Sequence, residues 1–362
     1  MSYLVTTNCK YNVIFGQNKM KMVYFNCDYM AGAHPEVLKA ICDTNLEKSA
    51  GYGFDSYTAQ AREVILEACG LDDGAVFFLQ GGTQANKIVI DRLLSRNDGV
   101  LCCNTAHINI HEAGAIEADG HKVIALDSLN GKLSAKAVEG YMNDFLSDET
   151  NEHMVRPSMV YISHPTELGT LYSRNELEDI SNVCRKFSMP LFIDGARLAY
   201  GLAARSTDVT LHDIASLADV FYIGGTKCGA LFGEAIVSRN RDLLPRFMSI
   251  MKLHGALLAK GRLTAIQFLA LFSDGLYYRI GRYADELAML IKDGFCEKGY
   301  RSLIDSPTNQ QFFILPNHVI DRLKGNIGFE LWGPRGEKES AVRFVTDWST
   351  TREDVNTLLE LL

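Results

Sequence analysis

The 362-residue chain lacks a cysteine framework, an excess of positive charge and any apolar run long enough to cross a bilayer. Its nine cysteines are odd in number and include no C-x-x-C pair, which is typical of reduced thiols rather than of disulfides or structural zinc. The 44 acidic side chains outnumber the 36 basic ones, and a net charge of -8 argues against a general binder of nucleic-acid phosphates. Polar residues interrupt positions 1–25, so no signal peptide is expected. These absences favour a cytoplasmic protein without a membrane segment.

Two phosphate-binding motifs are also missing. The chain contains neither G-x-G-x-x-G nor G-x-x-x-x-G-K-[ST], so dinucleotide and mononucleotide binding have no support. Hydrophobic residues make up 47% and charged residues 22%, as in ordinary globular proteins. A chain of this length exceeds the size at which single cores stop growing, and this predicts a large and a smaller domain.

From residue 75 onward, short apolar runs alternate with longer helix-like stretches. This order predicts an α/β fold in which helices flank a mostly parallel sheet. The predicted strands are 75–79, 100–103, 122–126, 159–162, 191–193, 220–223 and 235–237, and the clearest helices are 83–96 and 174–187.

A second, α+β domain is expected at the C-terminal end. Residues 257–298 have helical spacing and lead into hairpin-like runs at 311–315 and 342–347. The predicted division is an N-terminal extension over 1–22, a large domain over 23–272 and a small domain over 273–362.

Two predicted strands end on reactive residues. The run 190–193 leads into Asp194, and the run 220–223 leads through Gly224 and Gly225 to Lys227. A lone lysine is most often a solvated surface residue, but ligands of parallel sheets bind at the carboxyl ends of strands. A lysine that forms a Schiff base and a carboxylate that keeps a pyridine nitrogen protonated are the requirements of a pyridoxal phosphate enzyme.

Three further positions are candidates for binding. Gly82 and Thr83 follow a predicted strand, and Thr83 is expected to cap the next helix and form a phosphate cup, although glycine turns that open helices are common. His107 is either a free loop residue or a ring that stacks on a flat cofactor. Arg343 is either a solvent-facing strand residue or a two-pronged carboxylate clamp.

Together these residues resemble the pyridoxal phosphate enzymes of the aspartate aminotransferase fold, and among them the threonine aldolase and beta-eliminating lyase group. The resemblance runs from about residue 26 to 343 and is most specific at 194–197 and 224–227. It implies that Lys227 holds the cofactor as a Schiff base, that Asp194 pairs with the ring nitrogen and that His107 stacks on the ring. Gly82 and Thr83 would bind the phosphate.

The resemblance also implies how the substrate and a partner subunit are bound. Arg197 and Arg343 would grip the substrate carboxylate, and Asp28 and Tyr52 would contact the substrate. Family sites are completed across a dimer interface, so a homodimer or homotetramer is expected. The residues that would reach the phosphate from the neighbouring subunit are Lys260 and Arg262.

Two segments depart from the threonine aldolase pattern. Residues 163–167 read Ser-His-Pro-Thr-Glu where the family usually has Glu-Asn-Thr-His-Asn, and residues 26–29 read Asn-Cys-Asp-Tyr in place of Arg-Ser-Asp-Thr. The base that takes the substrate hydroxyl proton therefore stays open among His107, His164 and Glu167.

The function expected from the resemblance is retro-aldol cleavage of a β-hydroxy-α-amino acid, such as L-threonine or L-allo-threonine, to glycine and an aldehyde. Beta-elimination and transamination on the same scaffold are the nearest alternatives. A metal hydrolase built on His107, His111 and Glu112 is a remote one, because their spacing matches neither H-E-x-x-H nor H-x-x-E-H. A non-catalytic scaffold would have no need of Lys227, Asp194 and His107 together.

Overall fold

A computed structural model describes residues 22–362 of the chain. The predicted N-terminal extension therefore lies, apart from residue 22, outside the described residues. The strands are β1 Val23–Tyr24, β2 Ala75–Leu79, β3 Asp98–Cys103, β4 Lys122–Leu126, β5 Arg156–Ser163, β6 Leu191–Asp194, β7 Val220–Gly224, β8 Glu234–Ser238, β9 Arg301–Ser302, β10 Gln310–Pro316, β11 Ile327–Gly328, β12 Glu330–Leu331 and β13 Glu339–Val345. The α-helices are α1 Pro35–Asp43, α2 Ser56–Cys69, α3 Gly82–Leu93, α4 His107–Ile110, α5 Ala135–Ser147, α6 Arg174–Lys186, α7 Leu198–Ala203, α8 Leu211–Leu217, α9 Phe247–Leu253, α10 Arg262–Phe272, α11 Leu276–Glu297, α12 Asn317–Leu323 and α13 Arg352–Glu360.

The main sheet has seven strands in the order β2-β8-β7-β6-β5-β3-β4. Strand β8 runs antiparallel to both of its neighbours, and the other pairs are parallel. All residues of β6, β7 and β8 are buried, as expected for a sheet covered on both faces. The predicted α/β fold with a mostly parallel sheet is confirmed.

Local signals in the sequence account for the helix ends. Helix α6 begins with a capping box, in which Ser173 and Glu176 each accept a hydrogen bond from the other's backbone N–H. The helical stretch 257–298 contains two helices rather than one, because the chain turns at Gly275 with a φ of 76°, which separates α10 from α11.

A smaller sheet with the order β12-β13-β10-β9 follows, and it has a hydrophobic cluster of its own. Strands β10 and β13 are antiparallel, in agreement with the hairpin-like runs of the sequence. Phe295, Phe313 and Phe344 pack together in this cluster, with ring centroids 4.2 Å apart between the first two. The boundary predicted between residues 272 and 273 stays a prediction. Across residues 22–362, no helix combines the length and the apolar character needed to span a membrane.

Candidate active site

A cavity of about 270 Å³ lies at the edge of the main sheet where the parallel strands end. The chain leaves β6, β7, β5 and β3 at this edge, so side chains from distant parts of the sequence converge there. Six of the predicted site residues line the cavity: Gly82, Thr83, His107, Asp194, Arg197 and Lys227.

Lys227 is presented by a tight backbone turn after β7. A Cβ on Gly224 would lie 2.3 Å from the Ala196 carbonyl oxygen, so only glycine allows this close approach of the two strand ends. The Tyr200 hydroxyl donates a hydrogen bond of 2.5 Å to the Lys227 carbonyl and fixes the backbone of the turn. Burial, and then the nearby Arg197 cation, lower the pKa of the Lys227 amine. A lowered pKa favours the neutral amine that acts as a nucleophile.

Asp194 is the last residue of β6, and its carboxylate accepts hydrogen bonds from several residues. Its Oδ2 accepts from Tyr161 Oη at 2.6 Å and from Asn86 Nδ2 at 3.0 Å, and its Oδ1 accepts from Ala196 N at 2.9 Å. Burial opposes ionisation of this carboxyl, but hydrogen bonds from Tyr161 and Tyr222 outweigh burial and lower its pKa. Asp194 is therefore a buried anion that faces the cavity.

His107 is anchored through Glu112. Its Nδ1 lies 2.7 Å from Glu112 Oε1, and the same oxygen accepts from Asn86 Nδ2 at 2.7 Å. Since Asn86 also donates to Asp194, one amide joins the two carboxylates behind the cavity. The His107 ring is thus held against the cavity by hydrogen bonds rather than free in a loop.

Gly82 and Thr83 lie in the first turn of α3, whose start faces the cavity. The prediction that Thr83 caps this helix is wrong. The N-cap is Gly81, which provides no side-chain hydrogen bond, and Thr83 is already the second helical residue. The first-turn N–H groups are the donors that helices leave unpaired, and they are suited to an anion.

Arg197 and Asp28 form a paired unit at the cavity wall. Arg197 donates from Nε to Asp28 Oδ2 at 2.7 Å and from Nη2 to Oδ1 at 3.0 Å. Asn309 donates to Asp28 Oδ2 at 3.0 Å. Burial of Asp28 works against its charge, but Arg197 outweighs burial and lowers the pKa of the carboxyl. The predicted substrate residue Asp28 thus contacts Arg197 directly.

Arg343 is buried, with 8% of its surface exposed, so the solvent-facing alternative is wrong. Its Nη1 donates to Gln310 Oε1 at 2.9 Å, its Nη2 is paired with Glu330, and its guanidinium lies over the Trp332 ring. Both faces of β13 are covered, which the alternation of the sequence did not indicate. Arg343 is not among the residues that line the cavity.

Tyr52, Lys260 and Arg262 are separate from the cavity within one chain. Tyr52 lines a small neighbouring pocket, and Lys252 lies 4.7 Å above its ring. Lys260 and Arg262 line a surface groove with residues 45 and 47–51. The structure therefore does not bring these three residues to the other predicted site residues of the same copy.

The three candidate bases differ in their positions. Glu167 lines the cavity, where its Oε1 accepts from Ser163 Oγ at 2.6 Å and from His107 N at 2.9 Å, while its Oε2 has no partner. Burial raises the pKa of Glu167. His164 is fully buried and does not line the cavity, and burial lowers its pKa to about 4.

One acidic residue that lines the cavity, Glu234, was not predicted from the sequence. Glu234 begins β8 and accepts from Gly225 N at 3.0 Å, and burial raises its pKa to about 8. The sequence could have indicated the position of Glu234, because the connection from β7 to β8 is too short for a crossover between parallel strands. The two strands must therefore be antiparallel. An antiparallel strand starts at the edge where its neighbour ends, which puts Glu234 beside Lys227.

The proposed metal set of the rival hydrolase has little support. The rings of His107 and His111 are 5.6 Å apart between centroids, and Glu112 is already engaged by His107 and Asn86. Over residues 22–362, these side chains do not belong to a group of three converging ligand atoms.

The sequence matches one protein family over most of its length. The family model of beta-eliminating lyases matches residues 25–314. A low specificity L-threonine aldolase from Pseudomonas aeruginosa is 29% identical over 337 residues, which span 92% of this chain and 95% of that protein.

Solved structures agree with this result. A threonine aldolase from Leishmania major has a TM-score of 0.91 and 39% identity, and the match covers 94% of this chain and 98% of that one. An aspartate aminotransferase from Thermus thermophilus has a TM-score of 0.68 at 13% identity, which shows the shared fold alone.

Proposed function

Because the chain belongs to the beta-eliminating lyase family, we propose that it is a pyridoxal phosphate-dependent lyase that cleaves L-threonine or L-allo-threonine to glycine and acetaldehyde. The observation that carries the proposal is the meeting of Lys227 and Asp194 in one cavity. The Pseudomonas and Leishmania relatives, both described as threonine aldolases, support this reaction among those of the fold.

The donor set of the cavity fits the cofactor. Lys227 provides an amine of lowered pKa, Asp194 provides a buried anion for the ring nitrogen, and the first turn of α3 provides N–H donors for a phosphate. The His107 ring is held in position to cover a flat ring. When bound, pyridoxal phosphate supplies an electron sink for the bond that breaks at Cα.

Arg197 binds the substrate carboxylate. Its guanidinium lines the cavity and is held by Asp28, so its orientation is set before the substrate arrives. A planar guanidinium fixes a carboxylate in two directions, which in turn fixes the Cα substituents relative to Lys227. Arg343 lies behind Arg197 and keeps this region positive. Burial, and then the nearby Arg197 cation, lower the pKa of the Arg343 guanidinium.

Glu167 takes the proton from the substrate hydroxyl. Its Oε2 is the unpartnered oxygen, and Ser163 Oγ and His107 N hold its Oε1 in place. A carboxylate whose pKa is raised by burial is a stronger base than one in water. His164 lies behind the cavity wall and is not suited to this role.

The assembled enzyme is a cytoplasmic homodimer or homotetramer with shared sites. Tyr52, Lys260 and Arg262 complete the cavity of a neighbouring copy, because they lie outside the cavity of their own chain. Near them Leu46 and Phe54 are 92% and 73% exposed, as expected of a surface that a partner covers. The free thiols among residues 22–362 are consistent with a reducing compartment.

A product assay tests the function. Protein reconstituted with pyridoxal phosphate is incubated with L-threonine and L-allo-threonine, and acetaldehyde and glycine are measured together. Equal amounts of the two products are expected, with none from Lys227→Ala. Release of pyruvate and ammonia from cysteine or tyrosine without any aldehyde would instead identify a beta-eliminating lyase, and amino-group transfer to a keto acid would identify an aminotransferase.

A further inference from the structure

A second group of potential ligand atoms lies outside the active-site cavity. Asp91, Asp119 and His254 each offer one ligand atom, and these atoms lie within 4.8 Å of one another. None of the three lines the cavity described above. They come from three separate elements: Asp91 from the last turn of α3, Asp119 from the short helical turn before β4, and His254 from the end of α9.

Asp91 already has two histidine rings close to its carboxylate. His254 Nε2 lies 2.9 Å from Asp91 Oδ2, and His121 Nε2 lies 3.6 Å from Asp91 Oδ1. Ligand atoms on a tetrahedral zinc ion are about 3.4 Å apart, given bonds of about 2.1 Å. The widest separation in the group, 4.8 Å, would have to contract by about 1.4 Å to bring the ligand atoms onto an ion.

His121 is an independent indication of a ligand. It is 4% exposed, and neither of its ring nitrogens has a hydrogen-bond partner. Buried imidazoles normally satisfy at least one nitrogen, since an unpaired polar atom away from water costs free energy. The nearest acidic atom to this ring is an oxygen of Asp91, so Nε2 of the ring faces a member of the group.

Asp119 keeps one oxygen available. Lys87 Nζ lies 3.2 Å from Asp119 Oδ1, but Asp119 Oδ2 is buried and has no partner. Gly120, with a φ of 93°, turns the chain between Asp119 and His121 in a conformation that favours glycine. Asp119 and His121 thus lie on either side of this turn, and each of them leaves a buried polar atom without a partner.

We propose that Asp91, Asp119, His121 and His254 form a binding site for a divalent transition-metal ion of the zinc type. Two imidazoles and two carboxylates are a donor set that suits Zn²⁺, whereas Mg²⁺ and Ca²⁺ prefer oxygen ligands alone. The ion joins the end of α3, the turn before β4 and the end of α9. The proposed phosphate-binding residues Gly82 and Thr83 lie at the start of α3, which faces the active-site cavity. An ion at the other end of α3 therefore stabilises the helix that presents them.

Metal content of the holoenzyme tests the site. Protein without an affinity tag is saturated with pyridoxal phosphate, exposed to Zn²⁺ and separated from free ion, and bound zinc is counted by mass spectrometry. Wild type is expected to retain one more zinc per chain than His254→Gln or Asp91→Asn, and zinc should bind at least about tenfold more weakly to these variants. His153→Gln is the control, because His153 is an exposed histidine away from the group.

Cobalt provides a second measurement that does not depend on stoichiometry. Co²⁺ bound to four nitrogen and oxygen ligands in tetrahedral geometry absorbs strongly in the visible range, and this band is expected in wild type and in His153→Gln but not in His254→Gln. Circular dichroism establishes that each variant is folded. Zinc retention by His254→Gln and Asp91→Asn equal to that of wild type, or wild type that retains no zinc, would overturn the proposal.

Discussion

The guanidinium of Arg197 donates two parallel hydrogen bonds to the carboxylate of Asp28, at 2.7 and 3.0 Å. The two residues are 169 positions apart in the chain, and their side chains are 11% and 0% exposed. The pair fixes the arginine at the cavity wall before any ligand is present. In our account the substrate carboxylate therefore meets an already oriented cation, which reduces the ordering that binding requires.

Removal of Asp28 is expected to destabilise the protein. The Asp28→Ala change leaves Arg197 charged and without its partner in a mostly buried position, which costs about 3 to 5 kcal/mol of unfolding free energy. Urea unfolding measures this loss. Asp43→Ala, which breaks the exposed pair with Lys39, is the control and should shift the transition much less. Equal shifts for both variants would contradict the importance of the buried pair.

Replacement of Glu167 by glutamine should remove the base and keep the site. The amide oxygen can still accept hydrogen bonds from Ser163 Oγ and His107 N, but the side chain no longer takes a proton. We expect kcat to fall about 10²- to 10⁴-fold while cofactor binding stays unchanged. His164→Gln, a change behind the cavity, should lower kcat far less. The reverse order of the two effects would assign the base to His164.

The pH dependence of stability should report on Glu234. Its folded-state pKa of about 8 is above the ordinary value of 4.5, so the folded protein binds the proton more tightly than the unfolded chain does. The resulting stabilisation is complete below pH 4.5 and is lost as the pH rises to about 8. Glu234→Gln, which is neutral at all pH values, should not show this loss. Urea transitions that shift equally for wild type and Glu234→Gln between pH 4.5 and about 8 would contradict the prediction.

Sites shared between subunits predict recovery of activity when two impaired variants are combined. Arg262→Ala should weaken activity about 10- to 100-fold through loss of a charged contact to the phosphate. In a dimer with shared sites, co-expression with Lys227→Ala gives mixed dimers with one intact site, and random pairing yields about one quarter of wild-type activity. Co-expression of Lys227→Ala with Asp194→Ala is the control and should give none, since both changes affect the same half. Recovery equal to this control would place Arg262 outside the site.

Much of the fold could be predicted because its local signals are strong. The predicted runs 75–79 and 122–126 coincide with β2 and β4, since each is a short apolar segment bounded by turn residues. Lys227 and Asp194 were found for the same reason, because the residue that follows an apolar strand marks the ligand-binding edge of the sheet.

Other features depend on contacts that no local pattern contains. The hydrogen bonds of Asn86 to Asp194 and Glu112 join residues 108 and 26 positions apart, and Asn86 looks like an ordinary helical residue in the sequence. Arg343 alternates with apolar neighbours as a surface residue would, but the small sheet is covered on both faces at this point. The N-cap of α3 is Gly81 rather than Thr83 because of the backbone conformation at the helix start. Sequence patterns do not locate a helix end to within one or two residues.

The role proposed for Lys227 can be tested by locating the residue to which the cofactor is attached. The protein is reconstituted with pyridoxal phosphate, reduced with borohydride to make the Schiff base permanent, digested and analysed by mass spectrometry. We predict a visible absorption band before reduction and a pyridoxyl group on Lys227 afterwards, both absent from Lys227→Ala. Protein that stays colourless, or a pyridoxyl group on a different lysine, would show that Lys227 does not hold the cofactor.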